Sequence, residues 1–542
     1  MKRNIQVATV AILSVAITLV SCAGEEHFSD NDALRMDVAN ITSPMSKVRD
    51  YVPLYAVVAH RGSTYWAPEE TEAAWRWARE TGADYLESDL QSSKDGVVLA
   101  NHDENLRRTT NIDDVYGDSL PATRADFYRS FRNADGTQHF SESDIRAQCQ
   151  RDKDSFVPYR TLSYYYHELL ALDAGSWFNT ACPQQARAAF AADGGIHQYV
   201  SALQDQMAYA RGKMLRRNSS DGERMLTYGI KDKYKEMTLE QIYQAEKKTV
   251  KCDDSGVAYT CAQNCMDFVE YDFANAYVDD PEDTGNRPGI YIEFKKPALN
   301  PEDMEVRVYN LLAENGWNII TKPEGEKPFY TSGKVNVGNT NGKVVMQTFS
   351  KDALARAYKV FGGKVPMCYL LWKKNDSTGT VYDHPASYAS FIKEGLELGA
   401  HIMGPSISGA PGNYEELDAP WQACLIRRSG MLNHPYTFDT AEQMARYMGR
   451  DSARQETEYD NLMNIEVPPT SHTTATTDTS SPVFLDGLFT NRSELTIRFL
   501  IDHGYRCNAH LPNPFHKGAD YDNSSAPSTV PDAGETLRRL GY

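Results

Sequence analysis

The residues best suited to chemistry come in close pairs. His60 and Arg61 close a short apolar run, and Glu87 and Asp89 stand two apart in the next one. His102 follows a short hairpin, and Glu293 and Lys295 again stand two apart. Residues two apart on a strand share a face. Glu87, Asp89 and Glu293 so placed offer hard oxygen ligands for Ca²⁺ or Mg²⁺, and such a metal polarises a phosphoryl group and offsets its charge. Arg61 and Lys295 suit nonbridging phosphate oxygens, and two histidines take and give protons near neutral pH. Each residue alone has an ordinary alternative: a loop histidine, a solvated Glu-x-Asp pair at a sheet edge, a solvated Lys295-Lys296 pair. The agreement of strand ends and side-chain faces favours hydrolysis of a phosphodiester.

The elements that must position these groups alternate along the chain. Tyr55 to Ala59 reads as a buried strand ending at His60, and a helix is expected from Pro68, closed by Gly82. Tyr85 to Leu90 is the second strand, and Asp95-Gly96 turns into the hairpin at 97–101. Further strands are expected at 290–294, 344–349, 367–372, 400–403, 431–437 and 483–489, with helices at 301–314, 351–360, 385–398, 440–448 and 493–503. Eight strands alternating with helices predict an α/β fold, a (β/α)8 TIM-type barrel with a long insertion between its second and third strands. Function in such barrels sits at the C-terminal strand ends. Residues 111–285 read as the insertion, an excursion from the main fold with a helical stretch near 185–215. Its aromatics suit either a site for a bulky group or the packing of the insertion itself. Residues 450–481 read as a Thr/Ser-rich loop.

The segments His60-Arg61-Gly62, Pro68 to Thr71, Gly82 to Asp89, Lys94-Asp95-Gly96 and His102-Asp103 together resemble the signature of the glycerophosphodiester phosphodiesterase family. Leu172 to Phe178, Thr238-Leu239-Glu240, Tyr291 to Lys295, Gln347-Thr348-Phe349 and Asp486 to Thr490 continue the resemblance in order, and His434-Pro435-Tyr436-Thr437 is similar to its periplasmic branch. The resemblance implies a barrel enzyme that cleaves glycerophosphodiesters to glycerol 3-phosphate and an alcohol. It implies His60 and His102 as the catalytic pair, Arg61 and Lys295 as phosphate-binding residues, and Glu87, Asp89 and Glu293 as ligands of Ca²⁺ or Mg²⁺. Which histidine is acid and which base stays open, as does water against the glycerol hydroxyl as nucleophile. Glu70 departs from the asparagine or histidine usual in Pro-Glu-x-Thr, and Asn491-Arg492-Ser493 stands where Asp-x-Pro is common; altered loop packing is expected at both. Two rivals share the fold: a phosphodiesterase of phosphatidylinositol, sphingomyelin or lysophospholipid, and a surface binding lipoprotein without catalysis.

Composition adds bounds. The 542 residues carry a net charge of −18, which argues against a nucleic-acid partner, and 41% hydrophobic content supplies a substantial core. Lys2 and Arg3 precede an apolar run to Val20, and Ser21-Cys22 follows, a secretory signal over 1–21. Leu19 to Cys22 resembles a bacterial lipobox with Cys22 as the lipidated residue. A polar tether over 22–50 and a barrel over 51–542 are then expected, in a periplasmic or outer-membrane lipoprotein attached to the membrane by its lipid. Of nine cysteines, Cys149, Cys182, Cys252, Cys261 and Cys265 crowd together, and one or two disulfides are expected within 149–265.

Overall fold

The computed structural model describes residues 37–246, 266–448 and 485–542, and only the backbone of 250–251 and 260–261. The expected signal segment, Cys22, most of the tether and the loop 450–481 lie outside the described residues.

Eight parallel strands form the centre: β1 (Ala56–Ala59), β2 (Tyr85–Ser92), β3 (Gly289–Phe294), β4 (Val344–Thr348), β5 (Met367–Leu371), β6 (Ile402–Pro405), β7 (Leu432–Asn433) and β8 (Gly487–Thr490). Each pairs with its sequence neighbour, and β8 returns to β1. Backbone bonds from Asp486 N to Asn433 O (2.9 Å) and from Phe489 N to Pro435 O (3.2 Å) close the ring between β7 and β8. The fold is therefore the expected (β/α)8 barrel, built from the strands read in the sequence.

Alternation along the strands sorts their side chains. Leu86 and Leu90 of β2 and Ile290, Ile292 and Phe294 of β3 join the core under the surrounding helices. The residues between them, Glu87, Asp89, Tyr291 and Glu293, point the other way, into the barrel. In register, Asp89 lies opposite Glu293 and Glu293 opposite Gln347, so three adjacent strands deliver polar side chains at one level.

Helices follow seven of the strands: Glu72–Thr81, Met304–Glu314, Lys351–Phe361, Pro385–Glu397, Pro420–Ser429, Ala441–Tyr447 and Ser493–Asp502. After β2 the insertion supplies the missing one, Leu203–Ala210, whose Gln206 donates to Leu86 O (2.9 Å) and accepts from Ser88 Oγ (2.9 Å). This short helix replaces the longer one expected near 185–215. The first helix begins at Glu72, with Thr71 accepting from Ala74 N, because Glu70 adopts φ +54° and the chain from Pro68 is a turn. Pro420–Ser429 shows no helical period in the sequence, because Ala423 to Arg427 are all buried.

The insertion packs its own aromatic core from Phe127, Phe131, Phe140, Tyr164, Tyr165 and Phe268, with Arg124 bound to Glu168 (2.6 Å) and Asp152 (2.9 Å) at its centre. The tether expected over 22–50 does not extend to its last residues: the helix Ser43–Arg49 lies against the barrel, with Arg49 Nη1 donating to Gly430 O (2.8 Å). Cys149 and Cys182 are free thiols, so the expected disulfides do not involve them; the side chains of Cys252, Cys261 and Cys265 lie outside the described residues. No helix among the described residues is long and apolar enough to cross a membrane.

Candidate active site

β1 ends in a single tight turn, His60–Gly62, in which Arg61 has φ +50° and Gly62 φ +86°. A Cβ on Gly62 would stand 2.6 Å from that of Ala74, so only glycine lets the turn sit on the first helix. The turn aims Arg61 N at Glu87 Oε2 (2.7 Å) and folds the guanidinium over Asp89, Nε to Oδ2 3.2 Å.

Glu87, Asp89 and Glu293 are buried, and one carboxylate oxygen from each lies within 4.8 Å of the others. Lys295 Nζ bridges Asp89 Oδ1 (3.4 Å) and Glu293 Oε1 (3.2 Å). Gln347 Nε2 donates to Glu87 Oε1 (2.9 Å). Asp89 Oδ2 has the Arg61 ion pair and no hydrogen bond, and Gln347 Oε1 is buried without a hydrogen-bond donor. Three hard carboxylate oxygens converging in one buried place fit a divalent cation of the Ca²⁺ or Mg²⁺ kind.

Crowding three carboxyls in one dry place separates their proton affinities. Burial, with Asp89's charge added, pushes the Glu87 carboxyl well above its ordinary value. Burial drives Glu293 up to about 8, against the pull of Lys295. Burial also opposes ionisation of Asp89, but Lys295, His102, Arg61 and His60 together hold it well below the usual range.

The two histidines are held differently. His60 Nδ1 lies 2.8 Å from Asn491 Oδ1, and that oxygen also accepts from Thr64 Oγ1 (3.0 Å). His102 Nδ1 lies 2.6 Å from the Asp103 carboxylate, which Arg108 Nε grips in turn (2.5 Å); Arg108 also binds Glu69 (2.5 Å). Both contacts occupy Nδ1 and leave Nε2 for the cavity that both rings line. Burial, then the charge of Arg61, brings His60 down to about 3. Burial lowers His102 too, while Asp89 and Asp103 oppose it.

The structure thus brings together all seven residues singled out around the barrel mouth: His60, Arg61, Glu87, Asp89, His102, Glu293 and Lys295. Sequence reasoning gave no role to Asp103, Gln347 or Arg108, and it expected only loop packing from Glu70 and Asn491. Both departures reach the site instead. Glu70 is buried and its Oε1 accepts from Asp89 N (2.6 Å), because its left-handed backbone turns the side chain inward; Asn491 orients His60. The signal for Asp103 was its place directly after His102, whereas Asn491 marks the end of β8, the closing neighbour of β1.

The cavity holds about 540 Å³. Its lining includes Phe349, Trp372, Tyr414 and Tyr436, with Leu370 and Phe489. No described residue of 111–285 contributes to its lining, and the aromatics of the insertion's core pack against one another.

A family model, Glycerophosphoryl diester phosphodiesterase family, matches residues 60–452. A glycerophosphoinositol inositolphosphodiesterase of Mus musculus is 41% identical over 93 residues, 17% of this chain and 17% of its own length. A glycerophosphodiester phosphodiesterase of Bacillus subtilis is 31% identical over 130 residues, 24% of this chain and 29% of its own. The chain therefore spans less than a third of either relative in these matches. A solved phosphodiesterase of Oleispira antarctica, in complex with the product sn-glycerol-3-phosphate, has 14% identity and a TM-score of 0.36, covering 82% of this chain and 97% of its own. The family match spans most of the chain and contains the paired histidines, the acidic cluster and Lys295, and this protein belongs to the glycerophosphoryl diester phosphodiesterase family.

Proposed function

We propose that this chain hydrolyses glycerophosphodiesters to glycerol 3-phosphate and an alcohol. The observation that carries the reading is the convergence of His60 and His102 on a cavity shared with three buried carboxylates, Arg61 and Lys295. The relatives' names, which specify glycerophosphodiester and glycerophosphoinositol chemistry, agree with it.

Glu87, Asp89 and Glu293 would hold Ca²⁺ or Mg²⁺. When bound, the cation offsets phosphoryl charge and raises the electrophilicity of phosphorus. Arg61 and Lys295 already lie at the carboxylates, and they present two cations to the nonbridging oxygens. His60, held by a neutral amide, keeps its proton on Nδ1 and offers the Nε2 lone pair as base. His102, backed by a carboxylate, is the ring built to carry the extra proton. Water then loses its proton to His60 Nε2 as its oxygen bonds to phosphorus. The bond from phosphorus to the alcohol oxygen breaks, and that oxygen takes the proton from His102 Nε2. If the neighbouring glycerol hydroxyl attacks instead, the same proton transfers yield a cyclic phosphate first.

The test is release of glycerol 3-phosphate from glycerophosphocholine and glycerophosphoethanolamine, with and without chelator, beside His60→Ala and Glu87→Ala. Turnover that needs both metal and these residues supports the reading. Folded, metal-loaded protein that releases no glycerol 3-phosphate from either diester refutes it in this form and favours the lipid-diester or binding-protein rivals.

Export with a lipid anchor on Cys22, at the periplasmic or outer-membrane surface, belongs to this proposal and is supported by residues 2–22 alone. Labelled fatty acid incorporated by the wild type and absent from Cys22→Ser would sustain it.

A further inference from the structure

The aromatic part of the cavity lining has no part in the proton transfers above. It is a continuous shelf of rings drawn from four strand ends and loops: Phe349 after β4, Trp372 after β5, Tyr414 beyond β6 and Tyr436 beyond β7. Phe349 meets Trp372 at 6.5 Å and Tyr436 at 5.9 Å, and Tyr414 meets Tyr436 at 5.7 Å, each edge to face. The inner end lies beside the phosphate-binding residues, where Lys295 Nζ stands 5.6 Å from the Phe349 centroid. The outer end is open to water: Trp372 is 48% and Tyr414 40% exposed. These are two of the seven large hydrophobic side chains exposed among the described residues, and both stand at this one mouth. A lone exposed ring needs no explanation, but two continuing a buried shelf mark a binding surface.

Charge decides what the shelf accepts. Aromatic rings alone would suit a quaternary ammonium. Here, however, Lys295 and Lys296 line the cavity, and Lys373 Nζ sits 4.1 Å from the Trp372 centroid. The lining carboxylates Glu87 and Glu293 are engaged by Gln347 and Lys295. Glu415 and Glu416, next to Tyr414, are taken by Lys374 N (2.6 Å) and by Tyr447 Oη (2.5 Å). A cationic headgroup on the shelf would meet the Lys295 ammonium at its inner end and, at its outer end, a Trp372 ring beside which the Lys373 ammonium already sits. An uncharged ring polyol fits better: its C–H face lies on the negative faces of the rings, and its hydroxyls face water at the open mouth.

We propose that the aromatic shelf is the subsite for the alcohol of the diester and selects an uncharged ring polyol, a cyclitol or hexose, over a quaternary ammonium. This rests on the hydrolase reading above. The experiment compares kcat/KM for glycerophosphoinositol, glycerophosphoglycerol and glycerophosphocholine with the full-length, metal-loaded chain in detergent. The inositol diester is expected to exceed the choline diester by roughly tenfold or more, the scale of one or two ring contacts. Trp372→Ala and Tyr414→Ala collapse that ratio through KM for the inositol diester, and Trp372→Phe keeps most of it. Preference for the choline diester, or a ratio unmoved by both alanine variants while all three diesters are cleaved, overturns the subsite alone. No turnover of any of the three brings down the hydrolase reading and the subsite with it.

Discussion

Asn491 Oδ1 lies 2.8 Å from His60 Nδ1, so the base of the proposed reaction is oriented by an amide and not by a carboxylate. An amide fixes the tautomer without stabilising an imidazolium, and His60 stays neutral. Asn491→Asp places a negative charge at the same atom. The His60 pKa rises, and at saturating metal the acid limb of kcat/KM moves up by roughly one pH unit or more. Asn491→Ala removes the orienting contact and costs about 10–100-fold in activity, the usual effect of a supporting hydrogen bond. An acid limb unchanged in Asn491→Asp would mean that His60 does not carry the base function.

His102 is tied to Asp103, and in the proposed reaction that pairing makes it the proton donor to the departing alcohol. A donor matters only when the leaving group is a poor one. His102→Ala and Asp103→Asn should therefore lose about 10²–10⁴-fold on an alkyl diester, and far less on p-nitrophenyl glycerol phosphate, whose phenolate leaves unaided. His60→Ala should lose alike on both. Steady-state rates on the two substrates separate the roles, and the reverse pattern would exchange them.

How much of this was legible in the sequence depends on the distance over which each contact is made. Strand alternation alone put Glu87 and Asp89 on one face of their strand, and Glu293 and Lys295 on one face of theirs. The short apolar runs showed all eight strands because each strand is buried on both faces. What stayed hidden needed a partner far along the chain. Asn491 and His60 are 431 residues apart, and they meet only because β8 closes the ring against β1. Gln347 reaches Glu87 through strand register, which no local period encodes. Glu70 looked like a variant loop residue because its inward turn depends on a left-handed backbone conformation, which a glutamate seldom adopts. Trp372 and Tyr414 sit in loops, where exposure and spacing follow no rule that a sequence pattern can report.

The proton affinity of Glu293 predicts how metal binding should depend on pH. Without metal its carboxyl is raised to about 8, chiefly by burial, so below that pH it is mostly protonated. A divalent cation needs the carboxylate and must expel the proton. Affinity for Ca²⁺ or Mg²⁺ is therefore weakest in acid and strengthens as pH rises toward 8. Glu87, also raised, adds to the same trend. Calorimetry near pH 6 in two buffers of different ionisation heat should show about one proton or more released per metal, and fewer in Glu293→Gln. Binding without proton release would place the metal on other ligands.

Glu70 tests whether a buried acid can serve as a structural clamp beneath the acidic cluster. Its Oε1 is bonded to Asp89 N (2.6 Å), and burial together with Asp89 and Glu69 raises its pKa well above the ordinary carboxylate value. A glutamine keeps that oxygen and adds no charge, so Glu70→Gln should match the wild type in thermal stability and metal affinity. Alanine leaves a buried N–H without an acceptor, at a cost of about 1–3 kcal/mol, and frees the strand that carries Asp89. Glu70→Ala should then melt earlier and bind metal more weakly, with kcat at saturating metal falling less than affinity. If glutamine proves as damaging as alanine, the negative charge of Glu70 itself takes part in holding the cation, and the cluster has four acids in place of three.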